Sequence, residues 1–149
     1  MDHLKDLDEK HKNPLSSRTV RGYSSSPEEN MLYLQFDYLR DKADAGESFV
    51  IVGRCSETIL KQCDSLVSIF ILADRNKRIE RIMRLYHLTE SQAIKKIREK
   101  DTNRRRYHNS FCVGKWGDCK NYDLSLNSSK LGIDGSVKLL TEYIDKRRL

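Results

Sequence analysis

The stretch Phe49-Val-Ile-Val-Gly-Arg54 places four consecutive apolar residues before a glycine and an arginine. Such a run is typical of a strand that is buried on both faces of a parallel sheet. Ligands of open α/β sheets bind just beyond the carboxyl ends of these strands. Arg54 is therefore a candidate contact for a phosphate-bearing ligand. Taken alone, the stretch equally allows an arginine that only ends the strand and points into solvent.

Helix and strand patterns alternate on both sides of this stretch. Residues 1–27 are polar, lack periodicity and are predicted to be a loop or a mobile arm. The rest, residues 28–149, is predicted to be one α/β domain with a mainly parallel sheet, because strands and helices alternate. The other predicted strands cover 67–72, which is as apolar as the first, and 122–127, which alternates and is expected nearer an edge.

Sequence signals also mark the ends and the buried faces of the predicted helices. Pro27 begins the first helix and Gly46 ends it, and a short helix follows Arg54. Asp74 is predicted to cap the next helix, and Thr89-Glu-Ser-Gln92 has the form of a capping box. The last helix is predicted to begin near Asp134. The expected inward-facing residues of these later helices are Ile79, Ile82, Met83 and Tyr86, then Ala93, Ile94 and Ile97, then Val137, Leu140 and Ile144.

The composition favours a cytoplasmic protein with anionic partners. Of the 149 residues, 38% are apolar and 34% are charged, and the formal net charge is +6. No apolar run approaches a membrane span, and the first residues do not resemble a signal peptide. The positive charge favours nucleotides, nucleic acid or anionic surfaces as partners, without choosing among them.

Cysteine and histidine spacing predicts no metal site. None of the four cysteines, Cys55, Cys63, Cys112 and Cys119, forms a Cys-x-x-Cys pair. The histidines do not cluster with them at zinc-ligand spacing, and each histidine lies in a polar context that suggests exposure. We therefore expect reduced, structural thiols and no nucleophilic site.

Arginines form the strongest chemical signal in the chain. Arg78 and Arg81 share one helix face, and a second group follows at Arg104–Arg106. Arginine forks match phosphate oxygens, so these groups suggest a helical lid, around 75–115, that closes over polyphosphate. A solvated basic face is the competing interpretation. Asp101 lies at helical spacing from Arg104. It is predicted to orient that arginine or to help place a substrate hydroxyl or a hydrated cation, and an ordinary ion pair within the helix is the competing interpretation.

Several motifs taken together resemble the cytidylate kinase-like family. The likeness covers about residue 28 to the end. Its motifs are Phe49-Val-Ile-Val-Gly-Arg-Cys55, Ser68-Ile-Phe-Ile-Leu-Ala-Asp74 with Arg78 and Arg81, Asp101-x-x-Arg104-x-x-Tyr107-His108, Trp116-Gly117, and Asn121-Tyr-Asp-Leu-Ser-Leu-Asn-Ser-Ser-Lys-Leu-Gly132.

The resemblance implies an α/β fold with the three-layer parallel sheet of the P-loop nucleoside monophosphate kinases, truncated at the N-terminus. Such enzymes transfer the γ-phosphoryl group of ATP to a nucleoside monophosphate with Mg²⁺, largely by positioning and charge stabilisation. The resemblance implies substrate binding by Arg54, Arg78 and Tyr107, and catalytic roles for Arg104, Asp101 and Arg81. No residue of this chain is predicted to be a metal ligand.

Two departures from the family pattern stand out. Cys55 replaces the aspartate that helps cytidylate kinases recognise the base. None of the seven glycines forms the Gly-rich turn between a strand and a helix that cradles phosphates. We therefore expect the family's first strand, P-loop and first helix to be missing here. The strands at 49–53 and 67–72 then lose their common neighbour, so they pair directly, accept another segment or chain, or expose edges that promote association.

The leading hypothesis is a nucleoside monophosphate kinase of cytidylate kinase type, with weak or no turnover by this chain. The alternative is a non-catalytic relative that binds a nucleotide or a partner protein, with a homodimer as one form. Nucleic-acid binding through the basic faces, with stacking on Tyr107 and Trp116, is the least favoured.

Overall fold

The computed structural model of the chain describes residues 19–20, 23–24 and 27–147. Its strands are Thr19–Val20 (β1), Tyr23–Ser24 (β2), Ile69–Leu72 (β3) and Leu124–Asn127 (β4). Its helices are Pro27–Asp44 (α1), Ser56–Ile59 (α2), Arg75–Tyr86 (α3), Glu90–Phe111 (α4) and Ser128–Arg147 (α5). A 3-10 helix spans Cys119–Asn121.

The predicted polar arm, residues 1–27, lies almost entirely outside the described residues. The part that is described includes β1 and β2, which pair antiparallel with Val20 opposite Tyr23. These two short strands are not predicted from the sequence.

The chain divides into two compact units. The first unit contains the residues up to Leu66 together with Asn103–Trp116, and the second contains Val67–Thr102 together with Gly117–Leu149. The long helix α4 contributes its first residues to the second unit and its last residues to the first. A single α/β domain over 28–149, with a lid around 75–115, remains a prediction.

The second unit contains the parallel strand pair that the sequence predicts. β3 and β4 pair in parallel, with Ile69 opposite Leu124 and Leu72 opposite Asn127. The expectation that 67–72 is buried on both faces is wrong, because Ile71 and Leu72 are 50% and 40% exposed. A two-stranded sheet leaves part of each strand uncovered, whatever its apolar composition.

Side chains join the two strands at both ends. At the start, the Ser68 N–H and hydroxyl donate to Asp123 Oδ2 at 2.7 and 3.0 Å. At the carboxyl end, Asn127 and Lys130 donate to the Asp74 carboxylate at 2.8 and 2.9 Å. Asp74 was expected to cap α3, but its side chain makes no cap hydrogen bond because these donors occupy it. The strand register is therefore fixed by polar contacts as well as by the ladder.

The predicted strand at 49–53 is not formed. Residues 47–52 have no regular structure, and Val50 and Val52 are each 93% exposed. A strand requires neighbouring backbone groups as partners, and no strand in the described part of the chain lies beside this one. The three residues Gly53, Arg54 and Cys55 then have positive φ values of 81°, 66° and 55°. The apolar run therefore leads into a left-handed turn instead of a sheet.

The helix ends agree with their sequence signals better than the helix faces do. Gly46, at φ 71°, follows α1, and its N–H donates to the Ala43 carbonyl. The Thr89 N–H donates to Gln92 Oε1 at 2.9 Å, so the capping box is confirmed. Gly132 interrupts α5 with φ 70° and ψ −178°, and its main segment therefore begins close to the predicted Asp134.

The prediction that a helix residue faces inward is wrong at two positions. Tyr86 is 53% exposed and Val137 is 57% exposed, whereas Ile79 and Ala93 are buried as expected. The Lys96 ammonium lies 4.4 Å from the centre of the Tyr86 ring, a cation–π contact that uses the exposed aromatic face. Helical periodicity predicts a shared face but does not show which part of that face another element covers.

The Asp74 contacts predict a pH-dependent stability. The hydrogen bond from Asn127, followed by that from Lys130, holds the pKa of Asp74 below its usual value. A carboxylate whose folded pKa is lowered stabilises the fold above its unfolded pKa of about 3.9, and this contribution disappears as the pH falls through the folded pKa. Urea unfolding should therefore show wild type more stable than Asp74→Asn at pH 7, with a difference that shrinks below about pH 4.

Asp64→Asn is the control for this experiment, because Asp64 is an exposed carboxylate of the first unit. It should leave the pH profile of wild type unchanged. A stability difference for Asp74→Asn that is the same at pH 7 and pH 3 would show that its carboxylate charge is not what stabilises the strand ends.

Candidate functional site

Arg54 and Tyr107 come together in the first unit. The Arg54 guanidinium lies 5.9 Å from the centre of the Tyr107 ring, within cation–π distance. Arg54 is only partly exposed, and its backbone is left-handed. Non-glycine residues adopt that conformation at an energetic cost, and such strain concentrates at functional sites. Thus two of the predicted substrate-binding residues are neighbours, with Arg54 on a strained turn and Tyr107 on α4.

Arg78 and Asp101 come together in the second unit. The Arg78 Nη2 atom lies 2.6 Å from Asp101 Oδ1, and the two side chains are 36% and 22% exposed. A short hydrogen bond between two charged groups is stronger than a neutral one and fixes the direction of the guanidinium. From its spacing, Asp101 was expected to pair with or orient Arg104. The carboxylate instead bonds to an arginine 23 positions away on α3.

The remaining predicted residues stand on exposed helix surfaces. Arg81 is exposed on α3 in the second unit, and Arg104 is exposed on α4 in the first unit. Arg105, next to Arg104, lies 5.6 Å over the Trp116 ring. Their predicted catalytic roles therefore rest on charge and position in the sequence.

A buried polar cluster lies in the first unit, and the sequence analysis above does not predict it. The His108 Nε2 atom lies 2.6 Å from Glu57 Oε1, and the Cys112 Sγ atom lies 3.8 Å from the same oxygen. The expectation that every histidine is exposed is wrong for His108, which is 6% exposed. The one local signal was the four-residue spacing of His108 and Cys112 on α4, which places both on one helix face. Glu57, 51 residues from His108, gave no signal.

Cys55 lies beside this cluster, with its thiol next to that of Cys112. Both thiols are buried and reduced. The hydrogen bond with Cys55 lowers the pKa of Cys112 to about 7, against the opposing effect of burial. The same hydrogen bond, together with burial, raises the pKa of Cys55. Cys112 is therefore the more acidic thiol of the two.

The secondary structure and the surroundings of the arginines define the class of protein. The described chain is a mixed helix and strand protein with a parallel strand pair and arginines held by an aromatic ring and by a carboxylate. None of the helices in the described ranges combines the length and apolar composition needed to cross a bilayer.

A family model described as the cytidylate kinase-like family matches residues 1–130. The chain belongs to this family. The resemblance seen in the sequence motifs is thereby confirmed.

Two individual proteins are similar to this chain. A cytidylate kinase of Pyrococcus furiosus is 33% identical over 97 residues, which cover 64% of this chain and 49% of the relative. The chain thus spans about half the length of that curated relative. A crystal structure of an uncharacterized protein from Eubacterium ventriosum is 36% identical, with a TM-score of 0.77 over 80% of this chain and 74% of that one.

The Arg78–Asp101 pair can be tested by a double-mutant cycle on the free energy of unfolding. Arg78→Gln and Asp101→Asn, singly and together, should give a coupling energy of about 0.5–1 kcal/mol, because the pair is short but only partly shielded from water. Lys77 and Glu80 are the matched control, since they pair at 3.0 Å with both side chains about two-thirds exposed. The control cycle should give less than about 0.5 kcal/mol, and an equal coupling in both cycles would contradict the positioning of Arg78 by Asp101.

Proposed function

We propose that this chain binds a nucleoside monophosphate through Arg54, as the acceptor half of an ATP-dependent nucleoside monophosphate kinase. The observation that carries the proposal is the strained turn at Gly53–Cys55, which holds the Arg54 guanidinium beside the Tyr107 ring. A guanidinium fork suits phosphate oxygens, and an aromatic neighbour limits its freedom before the ligand arrives. The three-layer sheet of the P-loop kinases is part of this proposal.

The other arginines receive roles that agree with their surroundings. Arg78 is held by Asp101, so its fork is oriented in the absence of ligand, which suits a second contact to substrate phosphate. Arg81 and Arg104 are exposed on α3 and α4, where a long cationic side chain can reach a phosphoryl group as it transfers. In this proposal Arg54, Arg78 and Tyr107 bind substrate, and Arg81, Asp101 and Arg104 serve transfer.

Family membership implies ATP and Mg²⁺, but these 149 residues do not by themselves fit them. None of the seven glycines belongs to a strand–turn–helix phosphate loop. The Asp101 carboxylate, an expected oxygen near the reacting groups, already bonds to Arg78 at 2.6 Å. No reaction step is therefore assigned to either cofactor within this chain, and phosphoryl transfer is proposed only at the level of the family.

A second candidate is a non-catalytic relative that binds a partner, including a second copy of this chain. The exposure of Val50 and Val52 favours it, because one short segment leaves two apolar side chains almost fully in water, where another segment could cover them. A molar mass of twice the chain in light scattering, together with indifference to every nucleotide, would support this candidate against the first.

Calorimetric titration with CMP, UMP, AMP and GMP tests the proposed binding. We expect at least one monophosphate to bind wild type, and Arg54→Gln to weaken that binding by about 10- to 100-fold, because it removes a charged phosphate contact. Arg98→Gln is the control, since Arg98 is an exposed arginine of α4 with no assigned role. Equal affinity in wild type and Arg54→Gln would remove Arg54 from the site.

A coupled assay with ATP, Mg²⁺ and each monophosphate completes the test. The purified chain should show weak or no turnover, because it has no phosphate-cradling loop. Robust turnover that is lost in Arg54→Gln would support the acceptor role and refute the inactivity of this chain.

A further inference from the structure

The cluster of Glu57, His108 and Cys112 has the composition of a metal site. Each residue offers one donor atom, and the three donors lie within 4.8 Å of one another. Carboxylate oxygen, imidazole nitrogen and thiolate sulfur are the three protein ligands of Zn²⁺. Two helices supply them, α2 through Glu57 and α4 through the other two, so the set is assembled by folding within the first unit.

A buried histidine–glutamate pair is the simpler interpretation, and it leaves two features unexplained. The pair itself accounts for the 2.6 Å contact between Nε2 and Oε1. It does not require a thiol that donates to the same oxygen at 3.8 Å, nor a second buried thiol, Cys55, next to the first. Without a metal ion, one carboxylate, one imidazole and two thiols share a buried region. Polar groups that lack a partner are costly in such a region.

Cys55 is the candidate for a fourth donor. It is not one of the three residues whose donors lie within 4.8 Å of one another, but its thiol is next to that of Cys112. Tetrahedral zinc sites of structural type have four protein ligands and are closed to solvent. Cys55, His108 and Cys112 are only 4%, 6% and 8% exposed, which agrees with a closed site.

The second ring nitrogen of His108 also has a partner. The Nδ1 atom lies 3.4 Å from Asn109 Oδ1, which accepts the Trp116 N–H at 2.9 Å. A histidine ligand commonly donates its other ring N–H to an oxygen, which selects the tautomer that presents the free nitrogen to the metal. Here that arrangement leaves Nε2 facing Glu57 and the thiols.

We propose that Cys55, Glu57, His108 and Cys112 bind one Zn²⁺ ion. Zinc holds such donors at about 2.0–2.3 Å in a tetrahedron, so neighbouring donors around one ion lie about 3.3–3.8 Å apart. The Sγ–Oε1 distance of 3.8 Å already fits this spacing. The Nε2–Oε1 contact must open by about 1 Å, which the rotation of a glutamate side chain provides. Binding releases the thiol protons to solvent as both sulfurs become thiolates.

The proposed ion would also hold the strained turn at Gly53–Cys55 in place. Cys55 is the last residue of the left-handed turn that carries Arg54. A metal bond from Cys55 to α4 would hold that turn and so fix the backbone that presents Arg54. This role is structural and does not depend on whether the chain binds nucleotides.

Cobalt titration of the reduced, metal-free protein tests the site without any activity assay. One equivalent of Co²⁺ should produce the intense visible bands of tetrahedral cobalt and an ultraviolet thiolate-to-cobalt band, and Zn²⁺ should displace both. Native mass spectrometry of the zinc-loaded chain should show one ion, and chelation should lower the Tm. The absence of a thiolate band at one equivalent would overturn the proposal.

Cysteine variants identify the ligands. Cys112→Ser and Cys55→Ser should each lose about half of the thiolate band and bind more than about tenfold more weakly, since even the outer partners of metal ligands contribute that much. Cys63→Ser and Cys119→Ser, which alter the other two cysteines, should match wild type. An unchanged band in Cys112→Ser or Cys55→Ser would overturn the assignment of that cysteine. If Cys112→Ser does not fold, His108→Asn keeps the test valid, because it should retain the thiols but lose tetrahedral binding.

Discussion

The parallel pairing of β3 with β4 is the interaction on which the second unit depends. Ser68 and Asp123 close one end of the pair, and Asp74 with Asn127 closes the other. Because α3 begins directly after Asp74, the same contacts set where α3 leaves the sheet and so where Arg78 stands. Asp101 then holds the Arg78 fork from α4. The four residue pairs of the strand ladder thus contribute to the position of the Arg78 side chain.

The first unit is organised differently, around buried polar side chains. No described strand pairs with Phe49–Val52, and the chain turns sharply through three residues of positive φ. The turn leads into α2, whose Glu57 meets His108 and Cys112 of α4. Polar groups enclosed in this way must satisfy one another, which makes the cluster specific about its partners. Arg54 lies on the turn just before α2, beside the Tyr107 ring.

In each of the two units, contacts with a neighbouring side chain fix an arginine, which agrees with the family to which the chain belongs. The cytidylate kinase-like family supplies the class of chemistry, and the described residues supply arginines fixed before any ligand arrives, one by an aromatic ring and one by a carboxylate. Fixed cations suit phosphoryl groups, because most of the catalysis of their transfer lies in positioning and charge. Cys55, where the resemblance led us to expect an aspartate, lies buried beside Cys112.

The sequence by itself determined the features whose partners lie within a few residues. The Thr89–Gln92 capping box and the Gly46 helix end depend on local hydrogen bonds, which a linear pattern displays. The apolar and alternating patterns also predicted strands at 67–72 and 122–127, and their pairing with each other joins residues 55 positions apart. Only the tertiary structure decided that Phe49–Val52 stays unpaired, that Asp101 bonds to Arg78, and that Glu57 meets His108. The reason is that a strand needs a neighbour and a charge needs a partner. Which segment supplies either depends on the path of the whole chain, because contacts across 23 or 51 positions leave no local pattern.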